Sequence, residues 1–472
     1  MRAILWFRSD LRVKDSTALW AACRDAEEVV GLFVVSANEW LGHDVAPVRV
    51  RLMLRCLEAL EVSLSKAGIP LLVVVAEAAK DVPGLVVETA RRQQCGQIHW
   101  NIEYEVDEAR RDERTAALAR EAGLTPCGHH DQAIVQPGVL RTGEGRPYTV
   151  FTPFKNAWIR RMTENGLPVV RGEVKAKRVC EVKGTGVPRS VEGFETSVPK
   201  ELWPGGEKAA HERLRRFVGK NLAAYKTARD LPAEEGTSAL SPYLTVGAIS
   251  ARECLAAAAK AGGGLKGESG AATWISELVW RDFYIHILEA FPRVCMGRAF
   301  QPATERLEWR HSEKDLEAWR QGRTGVPIVD AGMRQLLETG WMHNRVRMIA
   351  AMFLSKNLLI DWREGERHFM RHLVDGFFAS NNGGWQWAAS TGTDAAPYFR
   401  VFNPVSQSRK FDPRGAYIRK YVPELSRVDD EAIHAPWELP ELARAGLDYP
   451  EAIVDLKSSR ERAIAAFKAL KA

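Results

Sequence analysis

The side chains best equipped for chemistry fall in a few short stretches. Asn381-Asn382-Gly383-Gly384-Trp385-Gln386-Trp387 sets side-chain amides, two glycines and two indoles in seven residues. Buried amides and indole N–H groups must find partners, so this is a poor filling for a core. Glycines allow close backbone approach, amides both donate and accept, and indoles offer stacking faces. A flavin lying against a nucleobase would use all three; the competing reading is a loop packed on its own aromatics. In Glu235-Gly236-Thr237-Ser238-Ala239-Leu240-Ser241-Pro242, Ser241 reads as an N-cap with proline at the first helical position. Backbone N–H groups and hydroxyls meeting at a helix start suit a diphosphate, although an ordinary capped helix looks the same.

Two further stretches carry charge beside aromatics. Between Thr273 and Phe291, Ile275, Leu278, Val279 and Ile285 form an apolar stripe, while Glu277, Trp280, Arg281 and Tyr284 share the opposite face at i, i+3, i+4 and i+7. Acid, indole, guanidinium and phenol together suit a base and its phosphate; a solvated face with snorkelling side chains is the alternative. In Trp341-Met342-His343-Asn344-Arg345-Val346-Arg347-Met348 the arginines point in different directions, one toward a phosphate and one toward an acid. Asp375 is the acid to pair with Arg347, for binding or for structure. No Walker loop, H-E-x-x-H or Ser-His-Asp order is visible, which disfavours hydrolytic and metal-dependent chemistry.

Positioning these groups takes more than one core: 472 residues predict two domains. Composition is globular, 46% apolar and 27% charged, and the net charge of +6 permits a polyanionic partner. Seven scattered cysteines with no CxxC pair argue for reduced thiols in a cytoplasm. Asp10 and Arg12 come too early for a signal peptide, and no apolar run could span a membrane. Strands are predicted at Ile4–Phe7, Val29–Val35, Pro70–Val75 and Ile98–Trp100, with helices over Val50–Ala67, Val82–Arg92 and Glu105–Ala122. That alternation implies an α/β domain with a parallel, Rossmann-like sheet over residues 1–130, lacking the G-x-G-x-x-G fingerprint. A Pro-, Gly- and charge-rich connector follows over 131–205, then an all-helical domain over 206–472. Ser250-Ala251-Arg252-Glu253 reads as a plain capping box.

The run Trp341–Arg400, with Asp361-Trp362-Arg363-Glu364-Gly365-Glu366-Arg367 inside it, resembles the C-terminal half of the class I cyclobutane pyrimidine dimer photolyases, a family shared with cryptochromes. Leu5–Arg12 is similar to the family's first strand and Phe151–Trp158 to its connector, so the likeness spans nearly the whole chain. It implies an antenna domain joined to a helical domain that holds FAD, and light-driven repair of UV-damaged DNA, in which reduced, anionic, excited FAD lends an electron to a flipped-out dimer. Carried over by position, Tyr225, Thr237, Ser238, Ala239, Leu240, Ser241, Asp375, Gly376, Phe377 and Asn381 would hold the cofactor. Arg347 would pair with Asp375 beside the ring, and Asn381 would face N5. Glu277 would stabilise charge on the pyrimidine carbonyls. Trp280 and Trp387 would stack on the lesion, with Tyr284, Asn344 and Met348 beside it and Arg229, Arg281, Arg345 and Gln407 toward DNA.

Trp385, Trp362 and Trp309 match the family's electron relay, whereas Trp6, Trp100, Trp158, Trp274 and Trp319 read as packing. His43, Asp107 and Glu108 match the antenna pocket, implying methenyltetrahydrofolate. The chain departs from the family pattern at Phe377, commonly an acid; at Ala239, often arginine; at Asp107, usually Asn; and at Met296, a Lys in folate-binding relatives. These departures keep a deazaflavin, another flavin or an empty pocket open. The resemblance further implies a bacterial-type cytoplasmic monomer associated with the nucleoid through DNA. A cryptochrome-type receptor is the alternative; Asn381 and the lack of a long tail disfavour it, Asn344 and Met348 disfavour a (6-4) enzyme, and no nicotinamide site suggests a flavin oxidoreductase.

Overall fold

Short Val-, Ile- and Leu-rich runs build a parallel five-stranded sheet: β1 (Arg2–Phe7), β2 (Glu28–Val35), β3 (Leu71–Val75), β4 (Cys95–Asn101) and β5 (Thr125–His129), in the order β3-β2-β1-β4-β5. All eight residues of β2 are buried, as a strand covered on both faces requires. The longer helices of this part are α1 (Thr17–Asp25), α2 (Pro47–Lys66), α3 (Val82–Arg92), α4 (Val106–Glu121), α5 (Phe151–Asn165), α6 (Gly206–Lys220), α7 (Ala251–Gly262) and α8 (Gly270–Ala290). The computed structural model describes residues 1–262 and 264–470.

Two compact units emerge, one of residues 1–223, 238–295 and 374–377, the other of 224–237, 296–373 and 378–472. The four predicted strands and three predicted helices of the α/β part are present; α1 and β5 were not anticipated. β5 carries Pro126 and Gly128, which mask its strand character. Residues 131–205 contain α5, a regular helix inside the expected connector. Elsewhere the connector lies along the sheet: Cys180 N donates to Gly68 O, and Thr185 N to Leu71 O beside edge strand β3.

The sheet's topological switch point lies between β1 and β4, where a ligand of an open α/β sheet usually sits. Here the chain's own charged groups line it. Arg8 pairs with Asp112 at 2.6 Å, Asn101 Nδ2 donates to Asp10 Oδ2 at 2.7 Å, and Arg252 pairs with Asp15 and Asp131 at 2.8 and 2.6 Å. Arg12 completes the knot with Asp131. The Ser250/Glu253 capping box forms as read, with Glu253 N donating to Ser250 Oγ at 3.0 Å. Its members also join wider networks: Ser250 Oγ donates to Asp15 and Glu253 pairs with Lys14 and His211.

The second unit is helical: α9 (Pro327–Thr339), α10 (Asn344–Met352), α11 (Trp362–His372), α12 (Phe378–Ala389), α13 (Pro404–Phe411) and α14 (Leu456–Ala469) are among its longer members. Its core joins Trp319, Trp362 and Trp385 to Met333, Leu336, Val346, Phe353 and Phe369. Gly365 on α11 lets Trp385 approach, since a Cβ there would stand 2.1 Å from the indole. No described helix is long and apolar enough to cross a membrane.

Candidate active site

Asn381–Trp387 lies within α12, not in a loop. Its amides divide between two tasks. Asn382 Nδ2 donates to Glu366 Oε1 at 2.8 Å and so ties α12 to α11, while Gln386 Nε2 donates to Asn382 Oδ1 at 2.9 Å within α12, so these buried amides serve packing rather than a ligand. Asn381 is half-buried and donates one N–H to Glu366 O at 3.0 Å, leaving its amide oxygen for another partner. One turn on, Trp385 is buried, with its Nε1–H lacking a partner among the described residues. Gly384 is exposed, with open space where a Cβ would go. Trp387 is half-buried, with Phe402 edge-on at 6.4 Å.

Elsewhere in the second unit, Tyr225 is buried beneath the Arg229 guanidinium, 5.6 Å from its ring centre. Gly236, just before Thr237, fits where a Cβ would strike Ala228 O at 2.5 Å. On α10, His343 caps the helix through Nδ1, which accepts from Arg345 N at 3.2 Å, and burial lowers its pKa to about 4. Asn344 is exposed and its amide reaches Met348 Sδ at 4.0 Å. Arg345 Nη2 donates to Asp230 Oδ1 at 2.7 Å, and Arg347 Nε to Met342 O at 2.7 Å. Gln407 sits half-buried on α13. Trp362 and Trp385 are buried and Trp309 half-buried against the same core.

In the first unit the Ser238–Ser241 turn precedes a helix of only five residues, Ser241–Thr245. The expected Ser241 N-cap is corrected: Leu240 is the cap residue, Ser241 is the first helical residue, and its hydroxyl donates to Asp375 Oδ2 at 2.6 Å. Ala239 takes a left-handed φ of 45°. Gly376 O accepts from Arg49 Nη1 at 2.7 Å, and Phe377 lies 4.7 Å under the Arg281 guanidinium. Where the resemblance implies an acid, Phe377 thus sets a ring against a cation. The half-buried Arg281 donates from Nη1 to Gln132 O at 2.6 Å.

Glu277, Trp280 and Tyr284 share the half-buried face of α8 with Arg281. One face of Trp280 is covered by Phe151, ring centres 3.5 Å apart and planes 5° from parallel, and Tyr284 flanks it at 5.5 Å. Asp282 on the same helix accepts from Ile134 N and Val135 N, both at 3.0 Å, and from Trp158 Nε1 at 2.9 Å.

Beside the start of α4, His43 Nδ1 lies 3.2 Å from Glu108 and Nε2 3.5 Å from Asp107. The hydrogen bond to Glu108 raises the His43 pKa to about 9. Glu39, His43 and Glu108 together could hold a cation. Burial and neighbouring acids lift Glu105 to about 7. The sequence reading missed Phe151, Arg49, Asp282 and Asp230. Phe151, inside the Phe151–Trp158 motif, had the one usable signal; the others act through partners far away in sequence.

Residues 3–171 match the family model described as DNA photolyase, and residues 274–469 the model described as FAD binding domain of DNA photolyase. The deoxyribodipyrimidine photo-lyase of Escherichia coli K12 is 43% identical over 473 residues, covering 99% of this chain and 98% of that protein. The chain belongs to the DNA photolyase family. Among solved photolyases, a class III enzyme from Agrobacterium tumefaciens superposes with a TM-score of 0.83 at 36% identity, covering 100% of this chain and 98% of that one. A photolyase from Sulfolobus tokodaii, described with two FAD molecules, gives 0.81 at 31%, covering 99% and 100%. FAD is the cofactor of this photolyase family's helical domain. The residues present fit it: the buried, unpartnered Trp385 Nε1–H and the half-used Asn381 amide share one face of α12 at i and i+4.

Proposed function

We propose that the chain is a light-driven DNA repair lyase, splitting the two cyclobutane carbon–carbon bonds of pyrimidine dimers in UV-damaged DNA. The full-length match at 43% identity to an enzyme of that name carries the reading. The chemistry supplied by bound reduced FAD is an electron lent under blue light and recovered when the ring bonds have opened. Its holders are Tyr225, Thr237, Ser238, Ala239, Leu240, Ser241, Asp375, Gly376, Phe377 and Asn381, with Arg347 as a charged group beside the ring. Asn381 would offer its amide oxygen to the flavin ring, and Glu277 would meet charge growing on the pyrimidine carbonyls. Trp280 presents the face that Phe151 leaves uncovered, opposite an unstacked base. Trp387, Tyr284, Asn344 and Met348 complete the lesion contacts, while Arg229, Arg345 and Gln407 face DNA phosphates.

Trp385, Trp362 and Trp309 form the route by which an electron enters the flavin, supported by burial that falls toward Trp309. The antenna is methenyltetrahydrofolate near His43, Asp107 and Glu108, a reading supported by the approach of the His43 ring to both acids. Residues 1–130, 131–205 and 206–472 are the antenna domain, connector and catalytic domain; β5 ends at His129 and α6 begins at Gly206. The protein works as a monomer. Repair of a thymine-dimer oligonucleotide by reduced protein under blue light tests the function, with a dark control and a (6-4) lesion alongside. Light-dependent loss of the cyclobutane lesion alone is expected; no repair with bound, reduced FAD would favour a cryptochrome-type receptor.

A further inference from the structure

Asp230 and Arg345 lie in the same unit, far apart in sequence, and meet at 2.7 Å. Asp230 Oδ1 is also 3.9 Å from Arg229 Nε. The Arg345 guanidinium carbon sits 4.4 Å from the ring centre of Phe411, and Lys410 Nζ is 5.1 Å from the same centre. Two arginines and a lysine therefore collect around one aromatic ring and one carboxylate, with the Asp230 and Arg345 side chains 33% and 17% exposed. An arginine binds carboxylate or phosphate best through two parallel N–H···O bonds from its Nε–Nη2 edge. Asp230 uses half of that edge. It takes Nη2, while Arg345 Nε is buried without a hydrogen-bond partner among the described residues.

We propose that Asp230 is an intramolecular competitor for backbone phosphate, a carboxylate that a phosphodiester must displace from Arg345 before that arginine can grip DNA with both N–H groups. This rests on the DNA-repair reading above and deepens it by naming a residue that sets affinity. Because the displaced group meets phosphate and not base, the penalty falls on damaged and undamaged DNA alike. Asp230 thereby holds down binding to any duplex and eases release of repaired DNA.

The test is binding of wild-type protein and the Asp230→Asn variant to a fluorescent duplex, with and without a thymine dimer, between about 50 and 200 mM salt. Asp230→Asn should bind both duplexes about two- to fivefold more tightly at low salt, the worth of one part-exposed ion pair. The plot of log K against log salt should steepen by about one counterion. Glu234→Gln removes the same charge from an exposed neighbour in the same segment and should give a smaller gain. Asp230→Asn combined with Arg345→Gln should bind no more tightly than Arg345→Gln alone. Unchanged or weaker binding by Asp230→Asn, a gain matched by Glu234→Gln, or a gain that survives without Arg345 would overturn the proposal. If wild-type protein neither prefers nor repairs the dimer, the repair reading falls, while the Asp230 effect on undamaged duplex is still measured.

Discussion

Phe151 and Trp280 show how one side chain is prepared by another. With centres 3.5 Å apart, Phe151 fixes the plane of the indole before any base arrives. Aromatic pairs add about 0.5–1.5 kcal/mol beyond area burial. Phe151→Ala should therefore weaken binding of a dimer-containing duplex about three- to tenfold while leaving the rate of repair at saturation nearly unchanged, as fluorescence anisotropy and single-turnover repair would show. His43 makes a second prediction. Its pKa is raised to about 9 by Glu108, so the stabilisation from this pair is fully present below the usual histidine value near 6.5 and is lost as pH rises through about 9. NMR titration should find the His43 ring protonated at neutral pH, and Glu108→Gln should bring its midpoint back toward 6.5.

At the scale of elements, two glycines in and beside α12 stand in contrasting contexts. Gly384, within the helix, meets open space, whereas Gly365 on α11 faces the Trp385 ring, with a Cβ placed only 2.1 Å away. Gly384→Ala should stabilise the fold by up to about 1 kcal/mol, the helix-propensity difference. Gly365→Ala should destabilise it by about 1–3 kcal/mol through overpacking, and thermal melts of the two variants would shift in opposite directions. The repeated amides and glycines of α12 hid its helical character, because both residue types lower helix propensity and favour turns. What holds α12 is its packing on α11 through Glu366, 16 residues before Asn382.

At the scale of the molecule, buried charge ties distant segments of the first unit together. Asp131, at the start of the connector, meets Arg12 from the loop after β1 and Arg252 from α7, and it accepts from Thr17 Oγ1 at 2.7 Å. The two guanidinium groups hold its carboxyl well below the usual carboxylate range. Stability from this knot is present above that ordinary value and is lost only as pH falls through the depressed one, so it survives mild acid. Asp131→Asn leaves two buried arginines short of a countercharge and should cost about 3–5 kcal/mol, read as a lower urea midpoint.

The sequence by itself determined four strands and three of the helices within residues 1–122, because side-chain period follows directly from which faces are buried. It also determined the family, since Trp341–Arg400 keeps long runs of residue types that packing alone does not require. Tertiary structure alone decided which polar groups remain for a ligand. Nothing local distinguishes Asn381 from Asn382, yet while Glu366 on α11 takes an N–H from each, only the Asn382 oxygen is occupied, by Gln386. The same holds for Arg281, bonded to Gln132 with Phe377 against it, and for Arg345, held by Asp230. Hydrogen-bond and ion-pair partners are set by distance in space, and residues more than a hundred positions apart leave no periodic trace of their meeting.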